Sequence, residues 1–129
     1  PAWVVCTGGE PLLQLDAPLI EALKARGFQV AVETNGTCRA PEGLDWICVS
    51  PKAGTRWVQT RGHELKVVWP QPFDLSELED LPFEHFFLQP QDSPQTGLRE
   101  HWLRDTIRTV LEHPRWRLSA QVHKLIGMP

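Results

Sequence analysis

Two periods alternate along the chain, one of about two residues and one of about 3.6. Residues 3–7 form a short, β-branched apolar run and read as a buried strand. Leu15, Leu19, Ile20 and Leu23 then recur at helical spacing. Asp16 is placed to cap that helix, Pro18 suits its first turn, and Gly27 closes it. Residues 28–32 alternate and are rich in β-formers, 46–49 are an apolar run, and 64–69 are a further strand. Residues 74–81 read as a short helix capped by Asp74, and 85–88 as a strand. Leu98, Trp102, Leu103, Ile107, Val110 and Leu111 mark a helix over 98–113. Residues 116–122 alternate again and read as the last strand. This repeated strand–loop–helix order predicts an α/β fold on a mostly parallel sheet. No repeat or linker divides it, so residues 1–129 are read as one domain.

Four predicted strands end in polar clusters: Thr7-Gly8-Gly9-Glu10, Glu33-Thr34-Asn35-Gly36, Ser50-Pro51-Lys52 and Gln89-Pro90-Gln91-Asp92. In a parallel sheet these ends share one rim, the edge where α/β proteins bind ligands. Taken singly, each is ordinary: Gly-Gly and Asn-Gly are turns, and a Ser-Pro pair ends a strand. Together they offer bare main chain, carboxylates, an amine and amides. That chemistry suits a zwitterionic ligand carrying a ribose. In the last strand, Arg117, Ser119, Gln121 and His123 share a face opposite Trp116, Leu118, Ala120 and Val122. The polar face reads either as a solvated surface or as the wall of a barrel lumen.

Composition narrows the function. The net charge is −3 and the basic residues are scattered, which argues against a nucleic-acid partner. No apolar stretch approaches the roughly 20 residues of a membrane span. Three cysteines (Cys6, Cys38 and Cys48) without framework spacing argue for reduced thiols and a cytoplasmic setting. His63, His85, His101 and His113 make no metal-ligand pair. The opening Pro1-Ala2-Trp3 runs straight into a strand, so the sequence is expected to be the later part of a longer domain.

Thr7-Gly8-Gly9-Glu10-Pro11 resembles the GGEP motif of radical S-adenosylmethionine (SAM) enzymes. Glu33-Thr34-Asn35-Gly36-Thr37, Ser50-Pro51-Lys52, Glu64-Leu65-Lys66, Phe87-Leu88-Gln89-Pro90 and the ending Arg115-Trp116-Arg117-Leu118-Ser119-Ala120-Gln121-Val122-His123-Lys124 follow in order. The set resembles the 7-carboxy-7-deazaguanine synthase family of 7-deazapurine and queuosine biosynthesis.

The resemblance implies a partial (βα) barrel whose first βα units lie outside this sequence. It implies a radical lyase in which a reduced [4Fe-4S] cluster cleaves SAM, with Mg²⁺ assisting. The substrate would be 6-carboxy-5,6,7,8-tetrahydropterin, which contracts to 7-carboxy-7-deazaguanine with loss of ammonia. Gly8, Gly9 and Glu10 would hold the methionine part of SAM, and Glu33, Ser50, Pro51, Lys52, Gln89, Pro90, Gln91 and Asp92 would line its site. Thr7, His123 and the carboxylate of Pro129 would meet the pterin. No catalytic side chain is carried over. The cluster cysteines and the Mg²⁺ ligand are expected upstream, so these 129 residues alone are expected to be inactive. A homodimer and an external electron donor complete the implied partners. The competing readings are a SAM- or pterin-binding module without catalysis, and another radical SAM activating enzyme.

Overall fold

The computed structural model describes residues 1–128. Six strands form one sheet: β1 (Ala2–Cys6), β2 (Phe28–Thr34), β3 (Trp46–Val49), β4 (Gly62–Trp69), β5 (Phe83–Pro90) and β6 (Trp116–Leu118). They pair in sequence order and every pairing is parallel. The α/β class and the parallel sheet are as expected, and the sheet is open rather than closed. Four helices connect or follow the strands: α1 (Ala17–Ala25), α2 (Leu75–Leu78), α3 (Thr96–Glu112) and α4 (Val122–Leu125).

Local chemistry sets the helix ends. Asp16 Oδ1 accepts from the Leu19 N–H at 3.0 Å, and Gly27 follows α1 with φ +87°. Asp74 Oδ1 accepts from the Ser76 N–H and starts α2, which is shorter than its pattern suggested. In α3 the stripe is rotated from the expected one. Leu98, Ile107 and Leu111 are exposed, while Thr106 and Thr109 are buried. Their hydroxyls donate to the Trp102 and Asp105 carbonyls one turn back, so they enter the interior already satisfied.

A parallel sheet that always steps the same way keeps its right-handed connections on one side. The core obeys this. Val32, Val49, Leu65, Val67, Phe86, Leu88 and Trp116 are buried on one face, against Ile20, Leu75, Leu78 and Val110. Alternation and register put Ala31, Glu33, Cys48, Glu64, Lys66, His85, Phe87 and Arg117 on the other face. Among the described residues, the helices of the core lie on the opposite side. In a closed (βα) barrel the face away from them would line the lumen.

The last strand corrects the sequence reading. β6 stops at Leu118 rather than running to residue 122, and Val122–Leu125 is helical. The final rung is the Ser119 N–H to the Leu88 carbonyl at 2.8 Å. The next rung would need an N–H from Pro90, which has none. Gln121 and His123 therefore leave the sheet, and only Arg117 and Ser119 of the expected polar wall remain on it. No helix among the described residues is long and apolar enough to cross a membrane.

Candidate functional site

Parallel pairing brings the C-terminal ends of all six strands to one edge, and the loops there are tied to one another in order. Glu10 joins the first loop to the second. The Ser50 N–H donates to the Thr34 carbonyl at 2.8 Å and joins the second to the third. Gln71 accepts from the Ala53 N–H at 2.9 Å and donates to the Val68 carbonyl at 2.8 Å, joining the third to the fourth. The Gln91 N–H donates to the Trp69 carbonyl at 2.9 Å. Lys124 reaches Asp92 at 2.6 Å and fastens α4 to the loop after β5. The four clusters found in the sequence lie on this rim. Gln71 was missed; its signal is a lone polar residue between two prolines after a strand.

The Glu10 carboxylate is committed inside the protein. It accepts from the Thr34 hydroxyl at 2.7 Å, the Asn35 N–H at 2.8 Å and the Leu12 N–H at 3.1 Å. Thr34 is buried and passes the network on by accepting from the Gly36 N–H at 3.1 Å. A ligand at this loop is left the main chain of Gly8 and Gly9. Both have positive φ (+83° and +50°), and a Cβ at either would meet nothing within 4 Å. Open space beside bare backbone is what close approach of a ligand requires. Gly36 differs: a Cβ there would lie 2.9 Å from Trp57 Cδ1 and from Val49 Cγ1, so its role is packing.

On the bare face, Glu33 sits between two partners. Its Oε2 accepts from the Thr7 hydroxyl at 3.4 Å, and its Oε1 lies 3.7 Å from Lys66 Nζ. Thr7 and Glu33, which the resemblance set near the ligands, are thus brought together. Cys48 lies beside Glu33 in register, and burial, then the neighbouring Glu64, push its thiol up to about 12. The thiol is therefore neutral at physiological pH. Towards the starts of the strands, Trp46 stacks against His63 (4.9 Å) and against His85 (5.6 Å), and its indole N–H reaches Glu64 at 3.4 Å. His63 Nδ1 accepts from the Ile47 N–H at 2.9 Å.

Of the remaining expected residues, Pro51 is buried, Ser50 half-buried and Lys52 exposed at the rim. Gln89 and Pro90 belong to β5, and Gln91 and Asp92 begin the loop after it. The Lys124 ammonium beside Asp92 holds its carboxyl below the usual value. A recess of about 70 Å³ lies under this latch, between Gln89, Leu103, Ala120 and Gln121. His123 is exposed on α4, next to the latch. Pro129 lies outside the described residues. A larger recess of about 820 Å³ opens at the opposite edge, by Arg39, Gln59, Arg61 and Glu84, away from these clusters.

The rim fits SAM by donor chemistry and by the open space at Gly8-Gly9. The cysteines do not fit an iron-sulfur cluster. Cys6 packs into the helix-side core, Cys48 is buried on the opposite face, and Cys38 sits in the loop after β2. Among the described residues no group of three or more His, Cys, Asp or Glu side chains converges to hold a metal.

No family model matches the chain. Among curated proteins, 7-carboxy-7-deazaguanine synthase of Bradyrhizobium diazoefficiens is 55% identical over 98% of the chain, covering 59% of that protein. The protein of the same name from Caulobacter vibrioides is 57% identical over 98% of the chain and 59% of its own length. Among solved structures, QueE from Escherichia coli superposes with a TM-score of 0.68 at 30% identity, over 92% of this chain and 56% of that one. The chain spans about three-fifths of the length of the curated relatives it matches. By sequence and by fold, nearly the whole chain is similar to part of the 7-carboxy-7-deazaguanine synthases.

Proposed function

We propose that this chain is the SAM- and pterin-binding part of a 7-carboxy-7-deazaguanine synthase. The reaction would convert 6-carboxy-5,6,7,8-tetrahydropterin to 7-carboxy-7-deazaguanine by radical ring contraction. The similarity over 98% of the chain to proteins of that name carries the reading. SAM, when bound, supplies the hydrogen-abstracting group. This chain's residues hold and orient the ligands. The main chain at Gly8 and Gly9 lets the methionine part approach, and Glu10 keeps that loop in place from below. Ser50, Pro51 and Lys52 with Gln89, Pro90, Gln91 and Asp92 border the adenosyl part. Thr7 meets the pterin, and Glu33, which lines the SAM site and accepts from Thr7, keeps lone pairs for an N–H or O–H of the pterin beside it. His123 on α4 closes the site from the last strand's side.

Among the described residues no group fits the cluster, so no step is assigned to the three cysteines. The reading leaves the cluster and Mg²⁺ ligands to the rest of the protein. It further takes the parent to be a cytoplasmic homodimer served by an external electron donor.

The test is anaerobic turnover by the full-length protein after iron-sulfur reconstitution, with SAM, Mg²⁺, a reductant and the carboxypterin. Formation of 7-carboxy-7-deazaguanine, read by mass spectrometry, supports the reading. SAM cleavage without that product would point to a different radical SAM reaction. Calorimetric binding of SAM or pterin without any cleavage would leave a binding module.

A further inference from the structure

Lys66 is a lysine on the bare face whose side chain is only 18% exposed. Among the described residues its ammonium has no hydrogen bond. Its ionic contact among those residues is Glu33, at 3.7 Å. The carboxylate two residues back on its own strand, Glu64, accepts from the Trp46 indole. Glu33 is on β2 and Lys66 on β4, so the pair crosses β3. Strands two apart are separated by about 9.5 Å, a span a lysine stem bridges only over a small intervening side chain. Cys48 is that side chain: it pairs in register with Glu33 on one side and with Glu64 on the other. Its thiol is neutral and does not compete for the ammonium.

We infer that Lys66 is a positioning residue for Glu33, and that Cys48 is the spacer that lets it reach. Thr7 and Lys66 grip the two carboxylate oxygens from β1's end and from β4. The carboxylate is thereby fixed across the bare face with its remaining lone pairs directed at whatever binds there. This inference rests on the proposed function only in naming that ligand as the pterin; the pairing itself does not.

Two measurements on the full-length protein test it. Without ligand, the ¹³C resonance of the Glu33 side-chain carboxyl should move in Lys66→Met and Cys48→Leu, and stay in Lys66→Arg and Cys48→Ala. With 6-carboxy-5,6,7,8-tetrahydropterin and no reductant, calorimetry should show Lys66→Met and Cys48→Leu binding about tenfold to a hundredfold more weakly. Lys66→Arg should recover most of that loss. In a Glu33→Gln background, Lys66→Met should cost little more. A carboxyl resonance indifferent to Lys66→Met would overturn the inference, as would a loss of affinity that Lys66→Arg does not repair. If the unaltered protein binds no pterin, the proposed function fails, and the ligand-free resonance alone decides the role of Lys66.

Discussion

Glu10→Ala is the most informative single change, because it separates two roles for the same carboxylate. The resemblance puts Glu10 at the SAM methionine; the structure shows it engaged by Thr34, Asn35 and Leu12. Removing it leaves three donors without their acceptor. Water reaches the Leu12 and Asn35 amides readily, because both residues are only half-buried, but Thr34 is 98% covered. One hydrogen bond to a charged group contributes about 1.5–3 kcal/mol, and the three are not additive, so the expected loss is about 2–4 kcal/mol. Unfolding entropy of about 2.1 cal/mol/K per residue makes this a drop of about 7–15 °C in Tm for 129 residues. Tryptophan fluorescence during heating measures the drop. Native-state hydrogen exchange should show the Leu12 and Asn35 amides opening first. A Tm within about 2 °C of the unaltered protein, with both amides still protected, would refute the reasoning. Glu10 would then be held for a ligand and not for the loops.

Two further outcomes follow from the same geometry. Gly36→Ala should destabilise by about 2–4 kcal/mol, the positive φ adding to a clash with Trp57 and Val49. Gly27→Ala, with the same sign of φ but open space, should cost about 1 kcal/mol in denaturant titration, and equal losses would contradict the packing role. Acid should act through Asp45, whose carboxyl the Val30 N–H and then the Lys24 ammonium hold below its ordinary 3.8. A depressed folded value stabilises the fold above that ordinary value, and the contribution is lost as pH falls through the folded one. Asp45→Asn should therefore flatten the stability profile below about pH 4 and leave its shape unchanged near neutrality, as read from denaturant midpoints across pH.

Local sequence was enough for much of this protein. Asp16, Gly27 and Asp74 mark helix ends because caps are satisfied within a few residues. The apolar run at 46–49 became β3 unchanged, and strand–helix alternation predicted the parallel sheet. Parallel order alone then gathers the polar strand ends on one rim.

What local pattern did not carry depends on neighbours distant in the chain. The length of β6 was set by Pro90 on the adjoining strand, which has no N–H for the next rung. The buried face of α3 was decided by which residues met β5 and β6, and threonines served there because their hydroxyls bond back along the helix. The use of each carboxylate was decided by cross-strand register: Glu10 turned inward to hold two loops, and Glu33 turned to Thr7 and Lys66. Sequence thus fixed which chemical groups stand at the strand ends, since backbone preference acts over a few residues. Only the packed sheet decided which of those groups are occupied internally and which remain for a ligand, since that depends on distances between strands.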